Sequence, residues 1–194
     1  MKTAPSTPSW LTTLLGPAPP PGDLEEALER AMVSGDTLPD TKKALLYRIC
    51  VTDFDPTGAH DPSEPPADPS PPAATTPAAL SPRTLRVCHR LLAALISDFT
   101  PTLFTVGGAH HMACTDALAD RWMSDVIAPA LADGGVGRPL ETLARIGARD
   151  WGGAGVCAEC VRAKSEEWEG EARAIWGKMD GWIEEAEREE NPKT

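Results

Sequence analysis

Two short stretches of this chain carry residues that could do chemistry together: "HHMAC", ending at Cys114, and "CAEC", from Cys157 to Cys160. A structural zinc site takes four soft or borderline ligands at tetrahedral positions, commonly three thiolates and an imidazole, usually supplied as two close pairs. His111 with Cys114 and Cys157 with Cys160 are such pairs, each three residues apart. That step lets both side chains of a pair reach one ion from a helix turn or from a knuckle at a helix start. The spacing favours His111 over its neighbour His110, with Cys88 as the reserve ligand.

The surroundings of the second pair support the same chemistry. "WGGAG" precedes Cys157 and allows a tight reversal, and a long helical pattern follows it. The positive end of a helix stabilises thiolate charge, which suits a metal site and a redox site alike. A thioredoxin-like pair, however, sits between a strand and a helix of a βαβ unit, and nothing before Cys157 reads as a buried strand. Zinc deaminases pair H-x-E with P-C-x-x-C. Here Met112 and Ala113 follow His111 and Val156 precedes Cys157, so the glutamate and the proline are both missing. No G-x-S-x-G, H-E-x-x-H or phosphate-binding loop is present, so no catalytic residue is assigned. Packing of small buried thiols is the remaining alternative, and Cys50, set among Leu45, Leu46 and Ile49, reads that way.

The elements that must position these residues are helical. Asp23 is a plausible N-cap for a helix bearing Leu24, Ala27, Leu28, Ala31 and Met32 on one face, with Gly35 as its stop. A second helix carries Leu45, Leu46, Ile49 and Cys50. A third, apolar around much of its circumference (Leu85, Val87, Cys88, Leu91, Leu92, Leu95, Ile96, Phe99), belongs in the centre of a core and is predicted to end at Pro101. Leu118, Trp122, Val126 and Ile127 define a fourth, with a kink or restart at Pro129. Pro139 and Gly147 bracket a fifth. Val161, Trp168, Ala172, Ile175, Trp176, Met179, Trp182 and Ile183 mark one long C-terminal amphipathic helix.

The expected fold is therefore all-α: a bundle of about five to six helices, stabilised by zinc. Residues 1–22 read as a proline-rich arm whose Trp10, Leu11, Leu14 and Leu15 lie over the core, and 23–54 as helices packing on it. The stretch 55–82 holds nine prolines and no aromatic residue. It cannot bury enough apolar area to offset its ordering entropy, so a disordered linker is expected there, with His60 solvated. Residues 83–190 form the helical CxxC domain.

Charge narrows the partners. A formal net charge of −11 opposes phosphate backbones and anionic membranes, so neither nucleic acid nor membrane is expected. No apolar run reaches the length of a spanning helix. The opening "MKTAPSTPSWLTTLLG" lacks a secretory core, which predicts an intracellular protein, cytoplasmic or nuclear, in a reducing compartment.

The order "LYRICVTDF", proline-rich insert, "LISDFTPTLFT", "HHMACTDALADRWM", "CAEC" and "EEWEGEARAIWGKMDGWI" resembles the C-terminal part of a group of mushroom-type fungal proteins of unknown role, many with a BTB/POZ-like domain ahead of it. The likeness covers roughly 41–183 without the insert, and its ending here is Cys157, Cys160, Trp168, Glu171, Arg173, Trp176 and Trp182. No pattern of a BTB fold precedes the helices in this chain. The resemblance implies a zinc-supported helical module. The expected function is a non-enzymatic protein-interaction module, meeting its partner through the Trp10 arm or the acidic stretch 165–190, which carries ten acidic residues against three basic ones. The alternatives are a thiol redox protein using Cys157 and Cys160, or a zinc-dependent hydrolase.

Overall fold

A computed structural model describes residues 9–16, 23–33, 39–52 and 80–190. Among them the regular elements are helical: α1 (Ser9–Leu15), α2 (Leu24–Val33), α3 (Pro39–Thr52), α4 (Pro82–Phe104), α5 (Met112–Trp122), α6 (Ala128–Ala132), α7 (Pro139–Gly147) and α8 (Ala158–Glu190). The architecture is the all-α bundle expected, with α8 as its long C-terminal helix. Gly35, His60 and most of the proline-rich stretch lie outside the described residues.

The central packing is α8 against α4 and α7, with α3 on α4 and α2 on α3. On α8, Cys160, Trp168, Ala172, Ile175, Trp176, Met179, Ile183 and Ala186 are all buried. Apart from the adjacent pair Ile175 and Trp176, their steps of three, four and eight keep them on one face, so a single apolar stripe runs along the helix. On α4, Val87, Leu91, Leu95, Phe99 and Leu103 are fully enclosed, while Leu85 at its first turn is 42% exposed and stands off the face. The seven-residue α1 lays Leu11 into the core against α7, and Arg48 donates to the Leu15 and Gly16 carbonyls that end it. The Trp10 arm thus rests on the core, with Trp10 itself half-buried.

Polar contacts set the register between helices. Ser81 caps α4, its hydroxyl accepting the Thr84 N–H at 3.2 Å, and Pro82 occupies the first turn, where a missing N–H costs nothing. The Ser81 N–H in turn donates to Glu29 of α2 at 2.6 Å. Burial alone would raise the Glu29 carboxyl, but that N–H and the Thr84 and Ser81 hydroxyls hold it below its ordinary value. Tyr47, fully buried on α3, donates to Glu141 and accepts the Leu140 N–H at 3.2 Å, tying α3 to the start of α7. Burial, then the Glu141 charge, pushes the phenol well above its usual range.

Two local readings are corrected and one is borne out. Helix α4 does not end at Pro101 but runs through it to Phe104. The proline removes one ladder bond, yet Phe99 and Leu103 on either side are enclosed, and the Leu103 carbonyl accepts the Trp122 indole N–H at 2.9 Å. Burial and that bond outweigh the missing donor. The restart expected at Pro129 is found: α6 begins at Ala128, with Pro129 in its first turn. A π turn at Met123–Ile127 precedes it, and Ala128 N–H reaches back five residues to the Met123 carbonyl. This wider turn gives the proline ring room that an α turn would deny. The acidic stretch of α8 is not a free face. Asp180 pairs with Lys43, Glu187 with Lys42, Glu189 with Arg90 and Glu190 with Arg86, so much of its charge is spent on α3 and α4.

Three tryptophans join the elements that flank the cysteines. Trp122 at the end of α5 stacks on Trp151 with centroids 6.1 Å apart, Trp168 of α8 lies 5.9 Å from Trp151 and 6.3 Å from Trp122, and all three are buried. Aromatic pairs of this kind contribute about 0.5–1.5 kcal/mol each beyond their buried area. Trp151 is the middle of the set, 1% exposed, with its indole N–H on the Ile146 carbonyl of α7 at 2.9 Å. Trp151→Ala is expected to cost about 3–5 kcal/mol in urea unfolding, whereas truncating the exposed Leu85 to Ala should cost less than about 0.5 kcal/mol.

Candidate metal centre

The four residues singled out by spacing converge. The His111 ring nitrogen and the sulfurs of Cys114, Cys157 and Cys160 all lie within 4.8 Å of one another. From His111 Nδ1 the sulfurs of Cys157, Cys160 and Cys114 are 3.3, 3.5 and 3.9 Å away. A tetrahedral zinc with bonds of about 2.3 Å to sulfur and 2.05 Å to nitrogen requires an N···S edge of about 3.6 Å. The observed distances bracket that value. The cluster is therefore large enough for one ion at its centre and too small for a bridging water network.

Each pair occupies the same two places on its helix. His111, with extended backbone (φ −111°, ψ 136°), caps α5, and its carbonyl accepts the Cys114 and Thr115 N–H groups at 3.0 Å. Cys157 stands one residue before α8, and its carbonyl accepts the Val161 N–H at 2.9 Å. In each helix the first ligand is the cap and the second is the third helical residue. An N-cap side chain ordinarily accepts the N–H at that third position. Cys157 does so, its sulfur receiving the Cys160 N–H. The Cys157 N–H donates in turn to the Cys114 sulfur at 3.4 Å, linking the two pairs directly.

The connecting loops explain how the two caps meet. The Ala109 N–H donates to the Thr115 hydroxyl at 2.9 Å, which folds the approach to His111 back on the first turn of α5. Lys164 is buried against Gly107, where an added Cβ would stand 2.5 Å from its ammonium nitrogen, and it bonds Glu167 at 2.7 Å. It lies one turn beyond Cys160 on the same helical face. Before Cys157, the Val156 N–H returns to the Trp151 carbonyl at 3.0 Å, and Gly155 takes φ +99°, a conformation that a side chain would strain. The glycine run thus makes the reversal, with buried Trp151 as its fixed end.

Exposure and charge divide the ligands. Cys114 and Cys160 are buried, and Cys157 is the one exposed thiol of the five in the chain. The backbone N–H of Cys160 lowers the Cys157 thiol to about 7 against the cost of burial, helped by His111, Cys160 and Cys114. Cys114 moves the other way: the Cys157 N–H favours its thiolate, but burial and the neighbouring Cys157 and Cys160 outweigh it and raise the thiol. The set can hold a metal ion. With four protein ligands in a closed tetrahedron, an ion there has no open position for water or substrate.

Neither His110 nor the reserve ligand Cys88 is brought in. His110 is exposed and is no member of the cluster, and Cys88 lies buried on α4, where its carbonyl accepts the Cys50 thiol at 3.3 Å. Cys50 is buried, as its apolar neighbours imply. Trp151 is the supporting residue that spacing alone does not single out; its signal is a tryptophan set directly before a glycine run. No helix among the described residues is long and apolar enough to cross a membrane. Comparison with protein-family models, with curated proteins and with solved structures finds no match to this chain.

In the metal-free protein, alkylation of Cys157 should follow a thiolate titrating near pH 7, well below an unfolded thiol at about 8.5. Rates read by mass spectrometry across pH 5–10 (roughly the range spanning both values) check this. The same shift makes a thiolate contribution to stability that is complete above the unfolded value and lost as pH falls through the folded one.

Proposed function

We propose that this chain is a non-enzymatic protein-interaction module whose helices are clamped by one structural zinc ion on His111, Cys114, Cys157 and Cys160. The observation that carries the reading is the closed set of four ligand atoms within 4.8 Å, seated on the caps of two helices. Three thiolates and one imidazole suit zinc better than the hard, oxygen-seeking cations. Zinc bound at such sites contributes about 10–16 kcal/mol in small peptides, as much as the whole stability of an ordinary domain, about 5–15 kcal/mol. The ion's role in this reading is to hold α5 against the head of α8.

For the partner, the supporting feature is apolar rather than acidic. Met112 is 77% exposed at the clamp itself, with Met123 at 64% and Phe104 at 49%. Methionine and aromatic side chains left in solvent are the kind a protein partner buries. Much of the acidic charge of α8 is matched within the chain, so the partner contact is assigned to this apolar side.

Metal per chain, measured by elemental analysis after purification under reducing conditions, is expected to be one zinc. The Cys157→Ser, Cys160→Ser variant should lose it, and a chelator should lower the melting temperature of the parent. A metal-free protein whose Cys157 and Cys160 cycle between disulfide and dithiol would instead establish the redox alternative. For the interaction, a partner co-purifying with the parent should be lost with Met112→Asp, Met123→Asp while zinc content stays at one. Retention of the partner by that variant removes the apolar side from the reading.

A further inference from the structure

A second feature lies away from the metal centre and independent of it. Where α3, α4 and α6 meet the loop that follows α6, they enclose a cavity of about 190 Å³. Among the described residues its wall is Cys50 and Val51 of α3, Leu92 and Ile96 of α4, Leu131 of α6, and the loop's Val136, with Gly134, Gly137 and Arg138 completing it. Leu92, Cys50 and Val51 form a buried floor, while Leu131 and Arg138 are exposed at the mouth.

The one charged group in this lining is Arg138. Its guanidinium makes no ion pair among the described residues. Its charge acts on Asp133, which is itself engaged by Arg145 from α7 through both carboxylate oxygens. Asp133, Arg145 and Arg138 therefore sum to +1 at the mouth, against a chain whose formal net charge is −11. The wall offers aliphatic surface, and the rim offers one cation with no ion pair among the described residues. A ligand pocket commonly has that form, apolar walls with a few polar groups that fix orientation.

Volume sets the size of the guest. An aliphatic cavity of about 150 Å³ holds a benzene molecule and stays dry without it. This one has room for a few more carbons, which corresponds to a chain of roughly six to nine carbons. We propose that it binds a small aliphatic monocarboxylate, tail among Leu92, Ile96 and Val51, carboxylate on Arg138. The guanidinium presents the planar fork that a carboxylate accepts bidentately.

The test uses the full chain, ¹⁵N-labelled and under reducing conditions, with octanoate as the probe. Saturable shifts are expected at the Gly134 and Gly137 amides. Hexanoate, shorter by two methylenes, should bind roughly fifteenfold more weakly, since each buried methylene is worth about a factor of four. Arg138→Gln should weaken octanoate about tenfold and leave 1-octanol unchanged, separating the charge from the tail. Gly137→Val should abolish binding of both: a Cβ at Gly137 already stands in contact with Leu92 of the cavity floor at 3.5 Å, so the added side chain competes with the tail for that space. Absence of a saturable response to octanoate overturns the proposal. So does octanoate binding that Arg138→Gln and Gly137→Val both leave intact. The Arg138 variant alters an exposed side chain, so the test survives even if the valine variant fails to fold.

Discussion

Two helices that meet at their N-termini oppose one another electrostatically, because each end carries about half a positive charge. At the junction of α5 and α8 that repulsion is met by sulfur. With three thiolates the ligand set carries three negative charges; a divalent ion and the two helix ends return about three positive ones. The charges cancel to about zero only when both caps, all three thiolates and the ion are present together. The same ligands replace the ordinary capping residues, since neither helix places Ser, Thr, Asp or Asn at its cap. Helix ending, charge balance and metal affinity are thus one arrangement, and the path of the chain from α5 to α8 is built to permit it.

The tryptophan set is the other half of that arrangement. Trp122 comes from the far end of α5, Trp151 from the loop that precedes Cys157, and Trp168 from α8 two turns beyond Lys164's neighbour Cys160. Their mutual contacts bring together the three pieces of chain that carry or flank the ligands. The three rings are buried, and so are Cys114 and Cys160, while His111 and Cys157 are exposed at the outer edge of the ligand set. A metal ion alone would fix the distance between the caps but not the angle between the helices. The aromatic contacts supply the angle, and an ion held by the four ligands would close the polar end.

Much of this was legible in residue types. Stripes at helical spacing placed Leu91, Leu95 and Phe99 of α4 and Trp168, Ile175, Met179 and Ile183 of α8 on buried faces, because a helix repeats its faces whatever it packs against. The ligand pairs were visible because His and Cys at a spacing of three stand where two side chains can reach one ion. Less legible were features whose cause lies elsewhere in the chain. Pro101 looked like a helix stop, and it is overridden by Leu103, whose carbonyl is taken by Trp122 nineteen residues on. The acid-rich end of α8 looked like a free surface until Lys42, Lys43, Arg86 and Arg90 came to lie beside it.

By itself, then, the amino-acid sequence determined the helices, their inward faces and the four residues able to hold an ion, since these depend on interactions within a turn or two of chain. The tertiary structure alone decided that Cys114 and Cys157, separated by 43 positions, share one centre and that Cys88 and His110 do not. It also decided that Arg138, which makes no ion pair among the described residues, lines an apolar cavity. Such outcomes depend on which helices pack together. Packing is set by the summed fit of many weak, non-directional apolar contacts, and no local pattern records their sum.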